Sequence, residues 1–168
     1  MSPRLLGVDL GSRRIGLAVA DIEVGIARPL TTVTRTETLE DDGAMLLRVC
    51  DEQRIDELVI GLPLEASGAE GPMSEAARAW AAGVAPLVGR PFVLRDERLS
   101  SYEAEQRIGP MARGRRGAPP SRAQRNAHRA RIDREAAAVI LQDELDARTA
   151  PGPVPVPGIP NSGAEGPR

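Results

Sequence analysis

Three carboxylates stand where a folded chain has little structural use for them. Asp9 lies inside the apolar run Leu5–Leu10, Glu97 follows Phe92-Val93-Leu94-Arg95-Asp96, and Asp133 precedes the apolar face formed by Ala137, Ile140, Leu141 and Leu145. An ionised carboxylate in an apolar sheet costs several kcal/mol unless it is paired or bound to a metal. Two such groups about 4 Å apart repel by roughly 4 kcal/mol at an effective dielectric of 20. If the fold gathers the three, the cluster must take up protons or hold a hard cation. Oxygen-only donors suit Mg²⁺ or Mn²⁺, and a chain with one histidine and one cysteine offers no zinc set. Each acid also has a plainer use. Asp133 can cap a helix, and Glu97 can pair with Arg95 or Arg98. Asp9 is hardest to explain structurally, because strand interiors disfavour Asp. Strand alternation sends Asp96 to the face opposite Glu97, outside such a cluster.

The second chemical signal is charge. All 22 basic residues are arginines, and from Arg107 to Arg134 nine of them face a single acid, Asp133, in a chain whose net charge is −2. That asymmetry is an electrostatic footprint for a polyanion. Arg13, Arg98, Arg113, Arg115, Arg116, Arg122, Arg125, Arg129 and Arg131 are the candidate phosphate contacts. His128 in the same segment suits a solvated or phosphate-contacting role better than that of a catalytic base. With aromatic residues at 2% of the chain, base stacking has little to draw on, so shape matters more than sequence readout.

The elements that must position these groups follow from periodicity. Leu5–Leu10 and Ile15–Ala20, joined by Gly11-Ser12-Arg13-Arg14, read as a β-hairpin, with Ile15, Leu17 and Val19 on one face and Gly16, Ala18 and Ala20 on the other. Residues 25–33 read as a third strand, placed at an edge by Pro29. Thr38 and Asp41 open a helix that carries Met45, Leu46, Val49 and Cys50 on one face and ends near Gln53. Glu57–Gly61 is a short buried strand, and a strand–helix–strand order points to a parallel crossover. After a Gly-rich loop from Pro63 to Pro72, most simply a connector though close to the expected cleft, Ser74 caps a helix with Ala77, Trp80, Ala81 and Val84 inward. Trp80 belongs to the core rather than to a base platform. Phe92–Glu97 is the next strand, and Ser100 with Glu103 forms a capping box for a short helix. Residues 109–131 read as a mobile basic loop, and Asp133 as the opening of the final helix. From residue 149 to 168, six Pro and four Gly with nothing large to bury read as a disordered tail.

The expected architecture is α/β: one domain over residues 1–148, with a mixed five-stranded sheet, an antiparallel opening hairpin and helices on both faces. No apolar run approaches the roughly 20 residues a membrane span requires. The N-terminus enters a strand with no signal-like apolar region. Cys50, the lone cysteine, reads as a core residue that has no internal disulfide partner. A cytoplasmic protein is expected, with no membrane partner.

VDLGSRRIGLAVAD, IGLPL, DERLSS and Ile132-Asp133 with Ala136-Ala137 resemble, in order, the four signature blocks of the YqgF/RuvX family, over about Arg4 to Leu145. The resemblance implies the ribonuclease-H-like three-layer fold. It also implies a nuclease function, in 5′-end maturation of pre-16S rRNA or in Holliday-junction or other DNA processing. The family's acidic triad falls on Asp9, Glu97 and Asp133, the same three residues reached from their placement. Where the family often has Lys before the final Ile/Val-Asp, this chain has Arg129 and Arg131, which keep the charge and add a bidentate grip on phosphate. The expected chemistry is phosphodiester hydrolysis with two Mg²⁺ or Mn²⁺ ions held by the triad, leaving a 5′-phosphate and a 3′-hydroxyl. The expected partners are RNA or branched or single-stranded DNA, a ribosomal precursor particle, and a second copy of the chain if a four-way junction is cut symmetrically. Two rivals stand beside this reading. An ATPase of the sugar-kinase/actin type shares an Asp-x-Gly-Ser/Thr turn but needs a second domain. A non-catalytic nucleic-acid-binding or ribosome-assembly factor would not need all three acids.

Overall fold

The computed structural model describes residues 2–113 and 117–150 of the chain. The expectations for Arg115, Arg116 and most of the tail lie outside the described residues.

Strands β1 (Arg4–Leu10) and β2 (Arg14–Asp21) form the expected antiparallel hairpin, in register Asp9 opposite Gly16 and Leu10 opposite Ile15. Strand β3 (Arg28–Thr34) adds antiparallel to β2, with its Pro29 on a sheet edge. It starts later than expected: residues 25–27 belong to the turn, where Gly25 takes a left-handed φ of 71° and Ala27 donates its N–H to Gln142 Oε1 at 2.9 Å. Helix α1 (Leu39–Gln53) is capped by Thr38, whose hydroxyl accepts from Asp41 N at 3.1 Å. Strand β4 (Glu57–Leu62) pairs parallel with β1, and β5 (Phe92–Asp96) pairs parallel with β4. The order β3-β2-β1-β4-β5 puts β1, and with it Asp9, at the centre of a mixed five-stranded sheet.

The two faces of the sheet are built differently. On one, Leu6, Val8, Ile15, Leu17, Leu58 and Ile60 pack against Leu46 and Cys50 of α1 and against α2 (Pro72–Val88), which contributes Trp80, Ala81 and Val84. Helices α1 and α2 are joined through buried Asp42, which accepts from Trp80 Nε1 at 3.0 Å and from Thr36 N at 2.9 Å. The other face is small-residue territory. Gly7, Gly16, Ala18, Ala20 and Gly61 leave room for the long helix α4 (Arg122–Thr149) to lie directly on the strands through Ala137, Ile140, Leu141 and Leu145. A β-carbon on Gly7 would stand 2.7 Å from the Ala137 carbonyl oxygen and 2.8 Å from Leu141 Cβ, so the approach requires glycine there. Helix α3 (Ser100–Ile108) packs on α4, clipped by Arg107 donating to Glu135 at 3.1 Å. Three layers, helices on both faces and this strand order constitute the ribonuclease-H-like fold.

Three expectations are corrected. Residues 122–131 are not loop: α4 begins at Arg122, behind a capping box in which Ser121 Oγ accepts from Gln124 N at 3.2 Å and Gln124 Oε1 accepts from Ser121 N at 2.7 Å. Asp133 therefore sits inside the helix rather than opening it. Ser74 is not the cap of α2, since Gly71 precedes a helix with Pro72 in its first turn. The Ser74 hydroxyl instead donates to the Pro63 carbonyl and accepts from Gly71 N at 3.3 Å. Nor does Ser100 cap α3. Leu99 holds that position, and Ser100 Oγ donates to the Glu97 carbonyl at 2.9 Å.

Candidate active site

Alternation along β1 places Leu5, Gly7 and Asp9 on the α4 side, and alternation along β5 carries Val93, Arg95 and then Glu97 to the same side. Arg95 confirms that direction by donating to the α4 residues Glu144, at 3.4 Å, and Asp143, through its carbonyl at 3.1 Å. Asp96 is paired with its neighbour, accepting from Arg98 Nε at 2.8 Å. Strand β4 separates β1 from β5, and its Gly61 is what lets Glu97 cross. Glu97 Oε2 fills the space a β-carbon on Gly61 would take, with Ile140 Cδ1 2.7 Å from that same point. The carboxylate thus lies over β4, toward Asp9. Its backbone is fixed there, because Glu97 N donates to the Leu62 carbonyl at 3.2 Å and Ser100 N donates back to the Glu97 carbonyl at 3.0 Å.

Asp133 arrives from above. The backbone of α4 at this residue presses onto Gly16, the partner of Asp9 in the hairpin register. A β-carbon on Gly16 would collide with the Asp133 carbonyl and approach Arg134 N to 2.9 Å. The Asp133 carboxylate accepts from Arg14 Nε. Thr32 Oγ1 donates to the Ala130 carbonyl one turn earlier, tying the same part of α4 to β3.

The electrostatics record the gathering. Burial, then the charge of Asp133, pushes Asp9 up from 3.8 to about 7. Burial, then Asp9, then Asp96, pushes Glu97 up from 4.5 to about 8. Glu97 Oε2 is shielded from solvent and has no hydrogen-bond partner, the one such side-chain atom among the described residues. Asp9 and Glu97 therefore form an under-satisfied acidic pair of the kind that favours a proton or a cation, made only of oxygen donors. Asp133 stands beside Asp9 but is engaged with Arg14. Among the described residues no three His, Cys, Asp or Glu side chains stand together as a ready ligand group. The oxygen donors of Asp9 and Glu97 suit a hard cation, with the Asp133 carboxylate nearby and paired to Arg14.

The arginines divide by place. At roughly 100° per residue, Arg122, Arg125 and Arg129 fall on one stripe of α4 together with Asp133, and all three are exposed on the turns leading to it. Arg131 lies roughly half a turn round the helix from that stripe. Arg98 is held by Asp96 and sits against Gly68 in the β4–α2 loop, 3.2 Å from where a β-carbon there would be. Arg13 and Arg129 line a small cavity with Asp133, and Arg113 is exposed beyond α3. His128 is half-buried next to Arg129 on α4.

Sequence reasoning missed Arg14 and the glycines. A contact between residues 119 positions apart leaves no local trace. Gly16 and Gly61 do carry a signal, since glycine within a strand often marks the close approach of another backbone or group.

Asp9 on the central strand, with Glu97 and Asp133 brought toward it, gives this ribonuclease-H-like sheet an acidic face made of oxygen donors. The RuvX family model, described as Holliday junction resolvase, matches residues 3–147, and the chain belongs to that family. It is 46% identical over 148 residues to a protein of Anaeromyxobacter dehalogenans named "Putative pre-16S rRNA nuclease", covering 86% of this chain and 98% of that one. A protein of Paramagnetospirillum magneticum with the same name is 42% identical over 148 residues, 87% of each chain. Among solved structures, T. thermophilus RuvC in complex with Holliday junction substrate overlays with a TM-score of 0.48 at 19% identity, covering 87% of this chain and 95% of that chain.

Proposed function

We propose that this protein is a divalent-metal-dependent nuclease that hydrolyses phosphodiester bonds of structured nucleic acid, with the 5′ end of pre-16S rRNA as its first substrate class. The observation that carries the reading is the half-buried Asp9–Glu97 pair: desolvation first, then the charge of Asp133 on Asp9 and of Asp9 on Glu97, raises both acids, and Glu97 Oε2 has no partner. The name shared by the relatives supports rRNA as substrate, and the family description keeps branched DNA in view.

Asp9, Glu97 and Asp133 would hold Mg²⁺ or Mn²⁺. When bound, the cation would supply Lewis acidity and neutralise charge on the phosphate under attack and on the departing sugar oxygen. The chain's own residues do the rest. Asp9, on the central strand, fixes where one oxygen donor for the cation stands along the sheet. Glu97, clamped through its N–H and carbonyl, places a second oxygen donor over Gly61. Arg122, Arg125 and Arg129 run the strand along α4 toward Asp133, while Arg13 and Arg98 flank the cluster on either side. Arg113 extends the basic surface, and Arg115 and Arg116 remain candidate phosphate contacts from the sequence alone. A cytoplasmic location suits this substrate.

The test is a cleavage panel with end-labelled RNA spanning a 16S 5′ precursor, a four-way DNA junction and single-stranded DNA, each with Mg²⁺ and with Mn²⁺. Metal-dependent cutting of the RNA, abolished by Asp9→Asn with binding retained, is the expected result. Full cutting by that variant, or in EDTA, overturns the reading. Binding without cleavage in any condition would favour an assembly factor.

A further inference from the structure

Beside the acidic cluster lies a cavity of about 330 Å³ lined by Gly11, Ser12, Arg13, Arg14, Arg129 and Asp133. Three guanidinium groups surround one carboxylate there, so its net charge favours an anion. The turn that carries two of them is braced. Gly11 N donates to the Arg14 carbonyl at 2.9 Å, Arg35 N to the Arg13 carbonyl at 2.9 Å, and Arg35 Nη1 to the Gly11 carbonyl at 3.4 Å. Asp133 cannot retreat, because its backbone is pressed onto Gly16. The Arg14–Asp133 pair is nonetheless part-solvated, with side-chain exposures of 31% and 23%, so its partners can exchange without burying a lone charge.

Arg14 thus faces two acceptors: the Asp133 carboxylate it already holds and any phosphate entering the cavity. Asp133 likewise faces two cations, Arg14 and the divalent ion of the proposed function, on which this inference rests. A cation on Asp133 weakens the hold on Arg14 and frees its donors for phosphate. A phosphate that draws Arg14 away frees Asp133 for the cation. We propose that the Gly11–Arg14 turn with Arg129 is a subsite for a backbone phosphate of the nucleic acid strand, and that Arg14 exchanges between that phosphate and Asp133. Strand and cation then bind with positive, reciprocal coupling. Arg14 acts here as a positioning residue. Its planar fork matters, since a phosphate accepts two parallel N–H bonds from arginine and only a point charge from lysine.

The experiment reads binding, not turnover. Affinity for a 20-nucleotide single-stranded RNA is measured by fluorescence anisotropy with Ca²⁺ and without divalent ion at matched ionic strength, and Mn²⁺ affinity of the free protein by calorimetry. In the wild type the divalent ion is expected to tighten RNA binding about tenfold, within the usual range for coupled sites. In Arg14→Gln that ratio falls to about one, while Mn²⁺ alone binds several-fold tighter because its competitor is gone. Arg122→Gln weakens RNA binding in both conditions and keeps the ratio. If Arg14→Gln fails to fold, Arg14→Lys carries the test, with a ratio below threefold expected. An undiminished ratio in the folded Arg14 variants overturns the exchange. Absence of any Mn²⁺ heat that depends on Asp9 and Asp133 would instead bring down the reading of the acids as ligands, and the two failures are separable.

Discussion

Gly16 of β2 and Asp133 of α4 meet backbone to backbone, so tightly that a single methyl on Gly16 would overlap the Asp133 carbonyl. Because Gly16 is also the hairpin partner of Asp9, this one contact sets the height of α4 above the sheet and the distance between two of the three acids. Neither neighbour is a flexible side-chain end, so relief must come from moving the helix. Gly16→Ala is expected to lower stability by about 2–4 kcal/mol, at or above the usual range for overpacking. It should also abolish Asp133-dependent Mn²⁺ binding in whatever fraction folds. Thermal melts with calorimetry on the same sample check both. A variant with wild-type melting would show that the contact is not required.

Gly61 makes the contrasting case. Its missing β-carbon is replaced by the end of the Glu97 side chain, which can swing aside. Gly61→Ala should therefore fold, at a cost of about 1–2 kcal/mol for crowding Ile140, but push Glu97 out from above β4. Cleavage is expected to fall at least a hundredfold with RNA binding within threefold of wild type. Loss of binding in step with cleavage would argue that the site as a whole, and not Glu97 alone, had moved.

Much of this arrangement was legible in the sequence itself. The alternation of β2 predicted which of its faces is small and which is large, and Asp9 stood out because strand interiors disfavour Asp. Periodicity also identified Ala137, Ile140, Leu141 and Leu145 as an inward face. It failed before that, because residues 122–131 are mostly exposed and pack no apolar stripe, so nothing in their pattern announces a helix. The announcement lay instead in Ser121-x-x-Gln124, a capping box, and in the strong helix propensity of Ala, Arg and Gln. Ser74 and Ser100 misled for a related reason. Both hydroxyls are committed near helix starts, but to the carbonyls of Pro63 and Glu97. The Arg14–Asp133 pair is set by tertiary packing and had no sequence signature.

The helical start of α4 sharpens the binding prediction. Because Arg122, Arg125 and Arg129 share the Asp133 stripe and Arg131 does not, the four should behave differently. Replacing the three by Ala is expected to weaken binding to every duplex sequence and make the slope of log K against log[salt] shallower by about 2.7, at roughly 0.9 for each phosphate no longer neutralised. Arg131→Ala should change the slope by less than about 0.45, half the value for one phosphate. Filter binding across a salt series measures both. Equal effects for all four would mean that the nucleic acid surrounds the helix rather than following one face.

The raised acids make stability depend on pH in a direction that can be worked out. Unfolded, Asp9 and Glu97 titrate near 3.8 and 4.5, while folded they titrate near 7 and 8. Between those limits the folded chain binds more protons than the unfolded chain, so the slope of stability with pH is negative. The contribution is complete below about pH 4, declines through the window from 4 to 8, and is lost above it. Glu97→Gln removes one of the two charges that folding must bury. Near pH 5, where Glu97 is already protonated in the folded protein, the variant should melt within a degree or two of wild type. At pH 8.5 it should melt higher, by an amount on the order of 3 kcal/mol or roughly 6–12 °C, while being inactive at both. Mn²⁺ should narrow the gap at high pH, because a cation bound by the wild-type pair does what the proton does at low pH. Melting curves at pH 5 and 8.5, with and without Mn²⁺, decide it. A variant less stable than wild type at pH 8.5 would show that the acids are not a strained pair held for function, but a net source of stability.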